Sequence, residues 1–191
     1  MKSSVRLGSV WLAAAVLAAC GGGGDAPAPA PSTDAPAAPA PAPSASSPSS
    51  PSVDATCALP DFAASVLARV NQLRAAGASC GAKGTFAPAG ALAWNAQLTE
   101  AATAHSLDMV TNNFFDHVGS NGSTLGSRVS ATGYAWSSLG ENIAAGYGTV
   151  TRVMDGWMAS DGHCANIMNP NFTQIGVACV KGSTGYGDYW T

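Results

Sequence analysis

Charge is scarce in this 191-residue sequence: 10% of residues are Asp, Glu, Lys or Arg, eight basic against eleven acidic, with no basic cluster. A nucleic-acid binder needs Lys and Arg grouped to replace phosphate counterions, so that class is excluded. Histidine occurs only at positions 105, 117 and 163. The most apolar run, Val10 to Ala19, has ten residues, well short of the ~20 needed to cross a bilayer as a helix. Motifs for several chemistries are missing as well. Ser160 lies three residues before His163, but no Gly-x-Ser-x-Gly elbow surrounds it, which removes the usual setting of a serine hydrolase. No Lys-Ser or Lys-Thr follows Gly21 to Gly24, so the chain has no loop of the phosphate-cradling kind. No two cysteines have the close spacing of a structural zinc site.

The chain divides by composition. In Met1 to Ala19, Lys2 and Arg6 precede the apolar run, the order of an export signal. Its end, Leu17-Ala18-Ala19-Cys20, resembles a bacterial lipobox. That resemblance implies cleavage before Cys20, lipidation of its thiol, and a membrane anchor through the attached lipid. Gly21 stands where an Asp would favour inner-membrane retention, so the expected location is the outer membrane of a bacterial envelope, outside the cytoplasm. Residues 20–56 then form a tether: nine of the twelve prolines lie between Gly21 and Ala55, mixed with Ala and Ser. Such a stretch has too little apolar surface to offset ordering and is expected to be extended. Residues 57–191 are the expected single folded domain. Without Lys2 and Arg6 the mature chain carries six basic and eleven acidic residues, a formal charge of −5.

Apart from Cys20 there are four cysteines, Cys57, Cys80, Cys164 and Cys179. An even number in an exported domain argues for two disulfides. Three pairings are possible. The expected one, Cys57 with Cys80 and Cys164 with Cys179, closes two local loops and ties each end of the domain together.

Apolar spacing gives the elements. Phe62, Val66, Val70 and Leu73 recur at helical intervals, with Asp61 as a cap and Gly77 as the stop. A second helix is expected from Ala96 to Asn112, with Leu98, Ala102, His105 and Met109 on one face. His105, among apolar neighbours, reads as a hydrogen-bonded core histidine outside any site. A third helix is expected from Thr124 to Thr132, capped by Ser123 and stopped by Gly133. A fourth is expected from Thr149 to Ser160, with an apolar stripe of Val150, Val153, Met154, Trp157 and Met158. Beyond Pro170, the alternation of Ile175, Val177 and Cys179 and a turn over Lys181–Gly185 predict a C-terminal hairpin running to Thr191. With the sequence stopping at Thr191, its last strand is expected to be short, with an exposed edge. Helices first and a short antiparallel sheet later indicate an α+β fold.

Three segments concentrate the remaining chemistry: Phe114-Phe115-Asp116-His117, Gly140-Glu141-Asn142-Ile143-Ala144 and Ser160-Asp161-Gly162-His163. In order and spacing they resemble the CAP superfamily (cysteine-rich secretory proteins, antigen 5 and pathogenesis-related 1 proteins; SCP domain), and most closely its bacterial YkwD-like branch. The resemblance runs from about Cys57 to the C-terminus and implies a three-layer α-β-α sandwich. It also implies that His117, Glu141 and His163 line a central cleft, with Asn142 and Ser160 beside it. Two imidazoles and one carboxylate with an open position make the ligand set of catalytic zinc, so zinc or another divalent metal is the expected cofactor. Glu141 is the candidate catalytic group, as metal ligand or general base. The second glutamate of the family falls on Ser160, a poor proton acceptor, and adjacent Asp161 would substitute only if its turn bent favourably. The loss shifts expectation from catalysis to binding of a lipid, an envelope glycan or a protein. A metal-dependent hydrolase or protease, and an envelope scaffold with a vestigial cleft, are the alternatives.

Overall fold

A computed structural model describes residues 53–183 and 185–191; the signal, Cys20 and the tether, as well as Thr184 in the last turn, lie outside the described residues. Helix α1 spans Phe62–Ala76. It starts after Asp61, as expected, but Asp61 adopts a left-handed conformation and its side chain caps nothing. Gly77 ends the helix with φ +71°, where a side chain would be strained. Strands β1 (Ala78–Ser79) and β2 (Thr85–Phe86) form a small antiparallel hairpin around a 3₁₀ turn, Gly81–Lys83. Strand β3 (Ala93–Trp94) leads into α2 (Ala96–Asn112), whose first turn is closed by the Asn95 side chain accepting from Leu98 N at 3.0 Å. The shorter α3 (Leu125–Ala131) is capped by Thr124, not Ser123, in a reciprocal capping box with Ser127.

Strand β4 (Ala144–Ala145) follows, then α4 (Val150–Met158). Where the sequence suggests a turn at Asp161, the chain forms a further helix, α5 (Asp161–Met168), which buries Cys164, Ile167 and Met168. Strand β5 (Gln174–Ile175) pairs in parallel with β3. A C-terminal hairpin of β6 (Cys179–Lys181) and β7 (Asp188–Trp190) forms, but with shorter strands than expected: Ile175 belongs to β5 instead, and Lys181, expected in the turn, pairs with Asp188. The expectation of an exposed last edge is corrected: β4 pairs with the other side of β7, giving the order β4-β7-β6, so β7 is the central strand. Both its edges are hydrogen-bonded, and Trp190 is fully buried.

Helices α1, α4 and α5 pack on one another, while α2 lies against β6 and β7 with α3 beside it. The fold is α+β. Phe62 stacks on Trp190 with ring centroids 5.8 Å apart, joining α1 to the sheet, and Met109, Ile143 and Tyr189 fill a smaller core.

The disulfide expectation is overturned. Cys57 is bonded to Cys179 and Cys80 to Cys164, across 122 and 84 residues of sequence. The chain around Thr56 runs alongside Cys179 in a parallel bridge, and the 3₁₀ turn packs on α5, so cysteines distant in sequence meet. Asp161 reinforces the second junction by accepting from Ala82 N at 2.8 Å. Its carboxylate is thereby engaged at the 3₁₀ turn and does not replace the missing glutamate.

Candidate functional site

The segment after α2 is folded by its own polar side chains. Asn113 takes a left-handed conformation at the helix end. The Asp108 carboxylate accepts from Ser120 N at 2.8 Å, Ser120 Oγ at 2.6 Å and Asn112 Nδ2 at 2.7 Å, drawing residues 114–120 back onto α2. Burial pushes Asp108 toward the neutral form, but these hydrogen bonds outweigh it and its pKa is lowered. From inside, His105 Nε2 donates to Asp116 O at 2.9 Å, which leaves Nδ1 as an unprotonated acceptor, buried and without a partner among the described residues. Burial, then the charge of Arg128, lowers the His105 pKa, so this ring is neutral. The expectation of a hydrogen-bonded core histidine fits this geometry, and the ring also fixes the residue preceding His117.

His117 is held on both sides. Arg128, from α3, donates Nη1 and Nη2 to His117 O, each at 3.2 Å, and Nη1 to Ser123 O at 3.0 Å. The His117 ring meets Glu141 Oε1 through Nδ1 at 2.7 Å, and Arg128 Nη2 donates to Glu141 Oε2 at 2.5 Å. The Glu141 and Arg128 side chains are 6% and 7% exposed, that of His117 55%. The site is thus a buried carboxylate between a buried guanidinium and an imidazole that faces solvent.

The Glu141 segment is anchored from α4 and α5. Trp157 Nε1 donates to Ile143 O at 3.1 Å, and Asn166 Nδ2 donates to Glu141 O at 3.1 Å and to Asn142 Oδ1 at 2.9 Å. Asn142 donates in turn to His163 O at 3.2 Å. His163 lies in the first turn of α5, half-buried; burial lowers its pKa first, and the charge of nearby His117 lowers it further. Ser160 precedes that turn, and its carbonyl accepts from Cys164 N.

The structure brings His117 and Glu141 into direct contact and places His163 nearby. These residues do not fit a metal as arranged. One Glu141 oxygen faces the guanidinium and the other the His117 ring, and no three His, Cys, Asp or Glu side chains among the described residues converge as a ligand group. Arg128, His105 and Asn166 were missed as site residues. The one available signal for Arg128 was that it is the only charged residue in a helix that also buries Val129.

On the inner side of the Glu141–Arg128 pair lies a cavity of about 370 Å³. Its apolar walls come from α2 (Leu98, Ala102), α3 (Val129) and α4 (Met154, Trp157). Exposed Ser137 and Ser138 mark its mouth. Glu141 and Arg128 thus line this cavity, while His117 and His163 do not.

This α+β arrangement, built around the buried Glu141 carboxylate, defines an SCP-type domain. Residues 67–191, more than half of the chain, match the model of the cysteine-rich secretory protein family, CAP. The chain belongs to that family. Two relatives from Bacillus subtilis are similar in sequence. The uncharacterized protein YkwD is 40% identical over 94 residues, 49% of this chain and 35% of the relative. The uncharacterized membrane protein YlbC is 35% identical over 86 residues, 45% of this chain and 25% of the relative. The matched region thus spans about a third or less of each relative's length. Among solved structures, an extracellular SCP-domain protein from Bacillus anthracis matches with a TM-score of 0.46 and 33% identity, covering 53% of this chain and 33% of that one. An outer surface protein from Borrelia burgdorferi matches with a TM-score of 0.47 and 23% identity, covering 53% and 74%.

Proposed function

We propose that this protein is an extracytoplasmic ligand-binding module, anchored by lipid on Cys20 and presented on its Pro/Ala/Ser tether. The location is supported by the export signal, the lipobox-like Leu17–Cys20 segment and two disulfides, which persist in oxidising compartments. Loss of labelled palmitate from the Cys20→Ser variant checks the anchor; equal labelling of both proteins counts against it.

The observation that carries the binding reading is the cavity behind the Glu141–Arg128 pair. Its volume, about 370 Å³, falls in the range of small-molecule sites, and its walls combine apolar side chains such as Leu98, Met154 and Trp157 with polar ones such as Asn142, Asn166 and Gln174. A small amphiphile fits this space better than a protein epitope or an extended glycan. The oxidised mature chain is expected to enhance the fluorescence of the neutral probe N-phenyl-1-naphthylamine, and Ser138→Trp, which fills the mouth, is expected to abolish the effect. No enhancement, or enhancement that survives Ser138→Trp, counts against the reading. Added zinc and added chelator are both expected to leave the melting temperature unchanged.

One observation favours a second reading. His117, with Nδ1 on a buried carboxylate, has the arrangement of an oriented general base. Metal-free ester hydrolysis that persists with chelator and disappears in His117→Ala would replace binding as the primary function. The Arg128 charge on the same carboxylate, and the lack of a serine or cysteine bonded to the His117 ring among the described residues, weigh toward binding.

A further inference from the structure

Two Gly-Tyr-Gly triplets, Gly146–Gly148 and Gly185–Gly187, lie side by side at one end of the three-stranded sheet. The Asp188 carboxylate fixes the first by accepting from Gly146 N, Tyr147 N and Gly148 N at 2.9 to 3.0 Å. The second rests against it at Gly146 and is closed by Gly182 N donating to Gly187 O at 3.1 Å. This clamped turn holds out Tyr186, which is 62% exposed. Phe115, 44% exposed, meets the Tyr186 ring at 61° with centroids 6.1 Å apart, and buried Tyr189 backs it at 72° and 6.1 Å. The two outer rings therefore form a corner braced by a fixed third. At its foot, Gly185 leaves a gap that a side chain would close: a Cβ there would meet Tyr189 Oη at 2.6 Å and stand 3.5 Å from Asn113 Oδ1. A hydroxyl and the amide of exposed Asn113 thus flank the opening. None of these residues lines the cavity behind Glu141.

Size and chemistry select the ligand class. The exposed parts of the two outer rings amount to roughly 200 Å², far less than the ~800 Å² that each partner contributes to a stable protein interface. The side chains at the corner are phenols, a phenyl and a carboxamide, which offer ring faces and paired donor–acceptor groups but no counter-ion. A pyranose with equatorial substituents matches that set, because its axial C–H groups make an apolar face and its acetamido group carries both a donor and an acceptor. We infer that the Phe115–Tyr186 corner is a binding site for a neutral N-acetylated pyranoside, stacked on Tyr186 with its acetamido group between Asn113 and the Tyr189 hydroxyl. The clamped turn serves this role, since a ring held in place beforehand loses little freedom on binding.

The test is titration of the oxidised mature chain with N,N′,N″-triacetylchitotriose, followed through backbone amide NMR shifts. Saturable shifts are expected at Asn113, Phe115 and Gly185. Tyr186→Ala is expected to weaken binding at least about tenfold and Tyr186→Phe to keep it within about twofold. Asn113→Gly, which keeps the left-handed backbone, and Tyr189→Phe, which removes only the hydroxyl, are each expected to weaken it. Trp136→Ala removes an exposed ring at the cavity instead, and Ser138→Trp blocks the cavity mouth; both are expected to leave chitotriose binding unchanged, so failure here does not touch the cavity reading. No saturable shift, shifts confined to other residues, or binding that survives Tyr186→Ala overturns the inference. It falls also if chitotriose does not bind while the Cys20→Ser chain co-sediments with phosphatidylcholine vesicles through Tyr186, which would make the corner a lipid-facing surface. The location of the shifts decides even if Tyr186→Ala disturbs the turn.

Discussion

Arg74 is fully buried, with no carboxylate partner among the described residues. Its guanidinium donates to Gly90 O at 2.6 Å, Ile167 O at 2.6 Å, Asn169 O at 2.9 Å and Phe172 O at 3.1 Å, tying α1 to the segments before β3 and after α5. Burial lowers its pKa, yet an arginine starts so high that it stays charged. Arg74→Met keeps the stem and strands these carbonyls. At ~1–3 kcal/mol for each buried group left unsatisfied, a loss of at least about 3 kcal/mol is expected, read as a lower urea midpoint with an unchanged slope. His105 leads to a pH prediction. Its folded pKa is below the ordinary 6.5, so the unfolded chain binds the extra proton as pH falls through that value. Its contribution is full above about pH 6.5 and declines toward the folded pKa; His163, lowered also, acts in the same direction. Urea midpoints are expected to fall between pH 7.5 and 5, and His105→Gln, which can still donate to Asp116 O, is expected to flatten the fall. A midpoint independent of pH in the unaltered protein would contradict this. Asp108, lowered from 3.8, contributes a separate loss at more acidic pH.

Among the elements, the long helices were legible and the short pieces were not. The apolar spacing foretold α2 over Ala96–Asn112, and Gly77 the end of α1 at Ala76, because both signals are local. Helix α5 was hidden: it has eight residues, and Gly162 in its first turn reads as a bend, although Cys164, Ile167 and Met168 have helical spacing. Strands of two residues cannot display alternation, so β4 and the β3–β5 pair were invisible. The β5 junction depends on Gly176. A Cβ there would overlap Thr99 N and the carbonyl carbon of Leu98 in the first turn of α2, backbone atoms that cannot step aside. Gly176→Ala is therefore expected to cost about 1–3 kcal/mol, seen as a lower melting temperature. A melting temperature unchanged from the native chain would show that the helix start can shift freely.

For the whole molecule, the two disulfides link elements rather than close neighbouring turns. Removing a native bridge from a small exported domain typically costs about 2–5 kcal/mol, so Cys80→Ala/Cys164→Ala is expected to lower stability by that amount in denaturant titration. Cyanogen bromide cleavage after Met168 separates Cys164 from Cys179; trypsin digestion without reduction should then yield Cys57–Cys179 and Cys80–Cys164 peptides. Recovery of a Cys57–Cys80 peptide would overturn the pairing. The sequence by itself determined what depends on near neighbours: the α+β class, the two long helices and the C-terminal hairpin; the grouping of His117, Glu141 and His163 came from the family resemblance alone. Periodicity, capping and short motifs act within a few residues and survive in a linear reading. Only the tertiary structure decided which cysteines meet, that β7 lies inside the sheet, and that Arg128 occupies the Glu141 carboxylate in front of a cavity. These depend on how irregular segments such as 113–123 and 132–143 return the chain on itself. Their paths are set by buried hydrogen bonds from His105, Arg128 and Asn166, whose partners lie 11 to 25 residues away, and no local pattern announces such contacts.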